Sequence, residues 1–178
     1  MQLLQRYSTR DLLYIAVMSA LGLAIKPVVT PIVHLVSAPL LIPGGSLAGG
    51  LYMLWMVLLL AIVKKTGVAL LMGITQAFVM VGLGYFGSHG AVSLISYTLP
   101  ALVMELLWLM FHDPQKPATH CLLNAGANIT GALIVTLLVM RLPLLPALLS
   151  LIAAAISGII GGILSWKIFL ELKKYRLI

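Results

Sequence analysis

Apolar residues run through this chain in blocks of spanning length, broken at Pro, Gly and short clusters of charge. The first block is predicted to begin as a helix at Ser8 or Thr9, with Asp11 near its positive terminus, and to run to about Ile25. Pro27 to Pro43 is apolar but carries Pro27, Pro31, Pro39 and Pro43, so it is expected to be a loop folded over or partly into the protein. Further helices are expected at about Gly45–Val63, ending at Lys64-Lys65, and at about Gly67–Gly84. A glycine-rich loop, Gly84 to Gly90, leads to a fourth at Val92–Phe111. His112 to His120 is the longest polar connection, a fifth helix spans about Leu122–Met140, and a sixth runs from about Pro146 into the basic tail.

Composition turns these blocks into membrane spans. Of 178 residues, 62% are hydrophobic and 8% charged, against roughly 25% charged in soluble domains. That leaves too little charge to cover a water-facing surface, so a soluble enzyme is excluded. A bilayer core takes about 20 apolar residues per helix, which gives room for six spans and little else. The expectation is an all-α integral membrane protein, one compact six-helix transmembrane domain over residues 1–178. The basic start followed by an apolar run is read as the first span and not as a signal peptide, because no A-x-A site follows and more spans come after.

The net charge of +7 reads as a topology signal and not as a nucleic-acid footprint. With six spans, Arg6, Arg10, Lys64, Lys65, Lys116, Lys167, Lys173, Lys174 and Arg176 fall on the side of the termini, and Lys26 and Arg141 on the other. Basic residues are retained inside, so both termini are expected in the cytoplasm.

Little in the spans is polar. Glu105 is the acidic residue inside an apolar run; a charge at mid-membrane costs ~2.5–3.5 kcal/mol and by default marks a ligand or ion path, the alternative being a structural hydrogen bond. Asn124 and Asn128, one helical turn apart, and Gln76 either glue helices together or line a polar pocket. Tyr85, Ser88 and His89 sit in the glycine-rich loop, and His34 in the Pro-rich stretch, all on the outer side. Neither a phosphate loop nor a nucleophile elbow is present, and four scattered histidines with one cysteine, Cys121, give no metal-ligand spacing. Small residues recur every fourth position at Ala16, Ala20 and Ala24, at Ala69, Gly73 and Ala77, and at Ala154, Gly158 and Gly162. Such stripes let helix backbones approach, mostly within one bundle. The first-helix stripe is the best candidate for an external helical partner.

Taken together, the length, six-span pattern, inferred orientation and the segment AVMSALGLA (Ala16 to Ala24) make the chain resemble the S component, the substrate-binding membrane subunit, of energy-coupling factor (ECF) vitamin importers. The stripe looks like that family's A-x-x-x-A motif. The resemblance implies that Ala16, Ala20 and Ala24 dock on a separate transmembrane coupling subunit driven by two ATPases. The chain itself would bind no cofactor, ATP being used by its partners. A vitamin would sit near the outer face of a prokaryotic cell membrane, under the Pro27–Pro43 and Gly84–Gly90 loops. Glu105, after Pro100, looks like the glutamate of thiamin- and hydroxymethylpyrimidine-type members, which implies a site combining Glu105 with Tyr85, His89, Asn128 and Trp108, and with Gln76 and His34 nearby. A stand-alone secondary transporter would need more membrane-embedded acids than Glu105. An intramembrane enzyme would need a catalytic constellation that the spans lack, and no enzyme activity is expected. A ligand-free accessory subunit would leave the small-residue stripes as the whole story.

Overall fold

A computed structural model describes residues 7–84 and 90–178. Among the described residues, seven α-helices carry the fold: α1 (Thr9–Ala24), α2 (Lys26–Ser37), α3 (Gly44–Val63), α4 (Val68–Leu83), α5 (Ser93–Met110), α6 (Pro117–Ile134) and α7 (Leu144–Lys174). A 3₁₀ turn, Gly90–Val92, precedes α5, and α6 is extended by a π-helical stretch, Val135–Val139. No strand occurs among the described residues.

The start of α1 follows from its first residues. The Ser8 hydroxyl accepts the Asp11 N–H at 3.2 Å, and the Asp11 carboxylate accepts the Ser8 N–H at 2.8 Å, a reciprocal capping box. Lys65 then pairs with the same carboxylate at 2.5 Å, tying the start of α1 to the end of α3.

The stretch after α1 corrects the expected loop: Pro27 to Ser37 is helical. Pro27 sits in the first turn of α2, where its missing N–H leaves no bond unmade. The same missing N–H interrupts the ladder beside Ile25, which marks the joint between α1 and α2. Pro31 removes one further helical bond without ending the helix. Pro39 and Pro43 lie beyond Ser37 and bound the true connection to α3. Residues 9–37 therefore form one nearly continuous helical path of about 43 Å. The start of α6 at Pro117 is also earlier than the expected Leu122, again with the proline in the first turn.

Among the described residues, five helical stretches are long and apolar enough to cross a bilayer: residues 9–37, 44–63, 90–110, 117–139 and 144–174. The shorter apolar α4 stands beside them. The outward face of the bundle is apolar. On α5, Leu94, Leu99, Leu102, Leu106 and Leu109 face outward, while Ser93, Ser96, Tyr97 and Glu105 are buried. An outer surface of leucine and an inner one that includes polar groups suits lipid and not water.

The centre is a tight joint of α3, α6 and α7. A Cβ on Gly50 would overlap the Ser157 carbonyl, one on Gly161 the Gly50 carbonyl, and one on Gly158 the backbone of Ala125. Backbones in contact this close require glycine. The stripes divide accordingly: Ala154, Gly158 and Gly162 are buried, as are Ala69, Gly73 and Ala77, whereas Ala16, Ala20 and Ala24 are exposed on the outside of α1.

Candidate functional site

Pairings down the bundle fix which end is which. Asp11 meets Lys65, and the Tyr7 hydroxyl donates to the Thr66 carbonyl at 2.8 Å. At the far end Lys26 and Thr30 meet Tyr52, and His34 lies beside Gly44. Residues 9–37 thus run antiparallel to α3. Lys64 and Lys65 close one end of the bundle, and the beginning of α3 lies at the other.

That other end holds a cavity of about 200 Å³ between α2, α3, α5, α6 and the π-helical stretch. Its polar wall is Lys26, Thr30 and His34 from α2, Ser46 and Tyr52 from α3, Ser96 and Tyr97 from α5, and Asn128 from α6. Met53, Ala132, Val135, Val139 and Met140 supply apolar surface. Pro100 helps shape the α5 side: lacking an N–H, it withdraws the helix's own donor from the Ser96 carbonyl. The π-helical stretch is a rare form that recurs at functional sites.

Lys26 is the centre of the polar wall. Its ammonium donates to the Tyr97 hydroxyl at 2.5 Å and stands 4.1 Å from the Tyr97 ring centroid and 5.2 Å from that of Tyr52. Thr30 and Tyr52 hydroxyls share a hydrogen bond of 3.0 Å. Asn128 is held from behind: its Nδ2 donates to the Ala154 carbonyl at 2.8 Å and reaches the Ser46 carbonyl at 3.5 Å. Ser46 Oγ and Ser96 Oγ are buried with no hydrogen-bond partner among the described residues.

Of the residues expected at a binding site, the structure brings His34 and Asn128 together in this wall. Tyr85 and His89 lie outside the described residues. The other three lie elsewhere. Gln76 is buried between α4 and α1, donating to the Ser19 carbonyl at 3.3 Å beside Gly22. Trp108 is buried in the apolar core with Met56, Leu60 and Met72. Glu105 reaches the start of α4, where its Oε1 accepts the N–H of Ala69 at 2.6 Å and lies 3.4 Å from that of Leu70. The physical reason is on α4 itself. Its N-cap is Gly67, which has no side chain to cap with, so the free amides of the first turn are met from α5.

Sequence reading left Lys26, Tyr52 and Tyr97 out of the site. The available signal was Lys26 itself, a cation on the charge-poor side, set between two apolar stretches that form one helical path.

A family model described as "ABC-type cobalt transport system, permease component" matches residues 10–130. No match is found among curated proteins or among solved structures.

Proposed function

The chain belongs to the family of ABC-type cobalt transport system permease components, and from that premise we propose that it is the substrate-binding S component of an ECF-type importer. In this reading it captures a small organic molecule, a vitamin or cofactor precursor, in the cavity bounded by Lys26, Tyr52, Tyr97 and Asn128. The observation that carries the proposal is that cavity, a polar-walled space in the membrane domain at the end remote from Lys64 and Lys65.

Orientation follows from the charges. Arg10, Lys64, Lys65, Lys116, Lys167, Lys173 and Lys174 gather at the start of α1, the end of α3, the start of α6 and the end of α7. By the retention of basic residues inside, that end is cytoplasmic with both termini, and the cavity opens outward. α4 is then the sixth span; its 16 residues reach only about 24 Å, with Val68 and Ala69 buried at its start and Val81 and Leu83 exposed at its end.

Cobalt in the family's description does not suit this cavity as a bare ion. Divalent transition metals want several imidazole, carboxylate or thiolate ligands. Here one histidine, His34, shares the wall with an ammonium, and no cluster of three metal-ligating side chains occurs among the described residues. A thiamin-type ligand was expected from Glu105, whose carboxylate is engaged by α4. That expectation therefore draws no support from the cavity.

Energy comes from partners in this reading. The chain carries no nucleotide-binding motif, so a coupling subunit and ATPases supply the drive, and the exposed Ala16, Ala20 and Ala24 are the docking stripe. Ala20→Trp is expected to abolish uptake in cells that also make the coupling subunits while leaving ligand binding by the purified chain unchanged. Uptake at the normal rate removes the docking role from this stripe. The proposal as a whole is tested by mass spectrometry of small molecules retained on the gently solubilised protein. A stoichiometric organic ligand is the expected result. A bare metal ion, or no ligand under any condition that keeps the protein folded, overturns it.

A further inference from the structure

Lys26 has no counter-charge within its own chain. The sequence holds four acidic residues, and each is engaged elsewhere. Asp11 pairs with Lys65, Asp113 with Lys116 at 3.4 Å, Glu171 with Lys174 at 3.7 Å, and Glu105 caps α4. None lines the cavity. An ammonium has three donors, and Tyr97 accepts one of them; no other described side chain takes either of the remaining two. The two tyrosine faces offset part of the charge, but a cation held at membrane depth is costly until it is paired.

We infer that the molecule bound in this cavity carries an anionic group, a carboxylate or a phosphate, which pairs with Lys26. The inference rests on the reading of the cavity as the transport site and adds the chemistry of its substrate. Three further observations agree with it. Ser46 Oγ and Ser96 Oγ, both buried and without partners among the described residues, are hydroxyl donors in the same wall, suited to the remaining lone pairs of such a group. The lining also includes Met53, Ala132 and Val135, apolar surface that suits a small ring. At about 200 Å³ the space is below the ~300–1,000 Å³ of drug-sized pockets, which points to a compact molecule. A cationic ligand would meet Lys26 as a like charge.

The test uses matched pairs that differ by the anionic group: nicotinate and nicotinamide, pyridoxal 5′-phosphate and pyridoxal, thiamin monophosphate and thiamin. Each is titrated against the solubilised full-length chain by thermal stabilisation, alongside identification of any retained molecule. An anionic member is expected to bind at least about tenfold more tightly than its partner. Lys26→Met is expected to erase that preference and Lys26→Arg to keep most of it, with the unliganded melting temperature of each variant measured to establish folding. Carboxylate and phosphate are told apart by which pair responds. Preferred binding of the neutral or cationic partner, or a preference that survives in Lys26→Met, overturns the anion and leaves the importer reading standing. If no member binds and no small molecule is retained, both fall.

Discussion

Glu105→Ala should lower the melting temperature of the solubilised protein by about 4–16 °C and leave affinity for the cavity ligand within about twofold. The loss is expected because Glu105 meets first-turn amides of α4 that the N-cap residue leaves without a side-chain partner. Gly67 caps α4 with a left-handed backbone, φ +89°, and no side chain. The Ala69 N–H would then be left unpaired in a fully buried position, and the half-buried Leu70 N–H would lose its longer contact. A hydrogen bond involving a charged group contributes ~1.5–3 kcal/mol, and an acidic side chain at a helix N-terminus adds ~0.3–1 kcal/mol. The sum, about 2–4 kcal/mol, corresponds to the stated shift at ~2–4 °C per kcal/mol for a chain of this size. Glu105→Gln keeps an acceptor oxygen and should recover much of the stability. The competing role, a carboxylate that holds ligand, predicts the reverse pattern: weakened binding and little change in melting. Isothermal titration and differential scanning fluorimetry on both variants separate the two.

The contrast between Glu105 and Lys26 shows what sequence could and could not carry. Helix positions were legible because apolar blocks and their breaks are local: the expected ends at Val63, Gly84 and Phe111 fall within one residue of those observed. The capping of α1 was equally readable, since Ser8 and Asp11 lie three residues apart. What failed was anything set by the partner of a residue. A lone buried carboxylate reads as functional by default, but whether it meets a ligand or a helix terminus depends on where Gly67 comes to lie, 38 residues earlier in the chain. Pro27 and Pro31 were read as breakers. In place, one occupies a first turn and the other costs a single bond within a helix held by α3. That misreading hid Lys26, because a loop lysine is unremarked whereas a lysine within a spanning helix demands a partner. Asn128 was visible as one of a polar pair at helical spacing, yet only the fold separates the two. Asn124 donates to the Gly50 carbonyl at 2.9 Å inside the joint, and Asn128 borders the cavity.

That joint carries the second large effect, and Gly50→Val should leave little folded protein. Gly50 is where three helices meet. Its N–H donates to Ser157 Oγ at 3.1 Å, its carbonyl accepts from Asn124, and Ser157 Oγ in turn donates to the Leu47 carbonyl at 2.5 Å. A side chain at Gly50 would overlap the backbone of Ser157, which cannot turn aside as a flexible side chain would. Relief requires α7 to move away from α3, and that movement would break the hydrogen bonds just named. Overpacking alone costs ~1–3 kcal/mol, and each buried polar group left unpaired ~1–3 kcal/mol more. Because two to three such groups are involved, the total approaches the ~5–15 kcal/mol by which whole domains are stable. Gly82→Ala is the control: Gly82 lies in the last turn of α4 and a Cβ there meets nothing within 4 Å, so the substitution should leave the fold intact. Size-exclusion profiles of fluorescent fusions of the two variants provide the measurement. A monodisperse peak for Gly82→Ala and aggregate for Gly50→Val are expected. A monodisperse, ligand-binding Gly50→Val protein would mean that α3 and α7 are not in backbone contact. The cavity, whose Asn128 is anchored on the α7 carbonyl of Ala154, would then lack the rigid frame assigned to it.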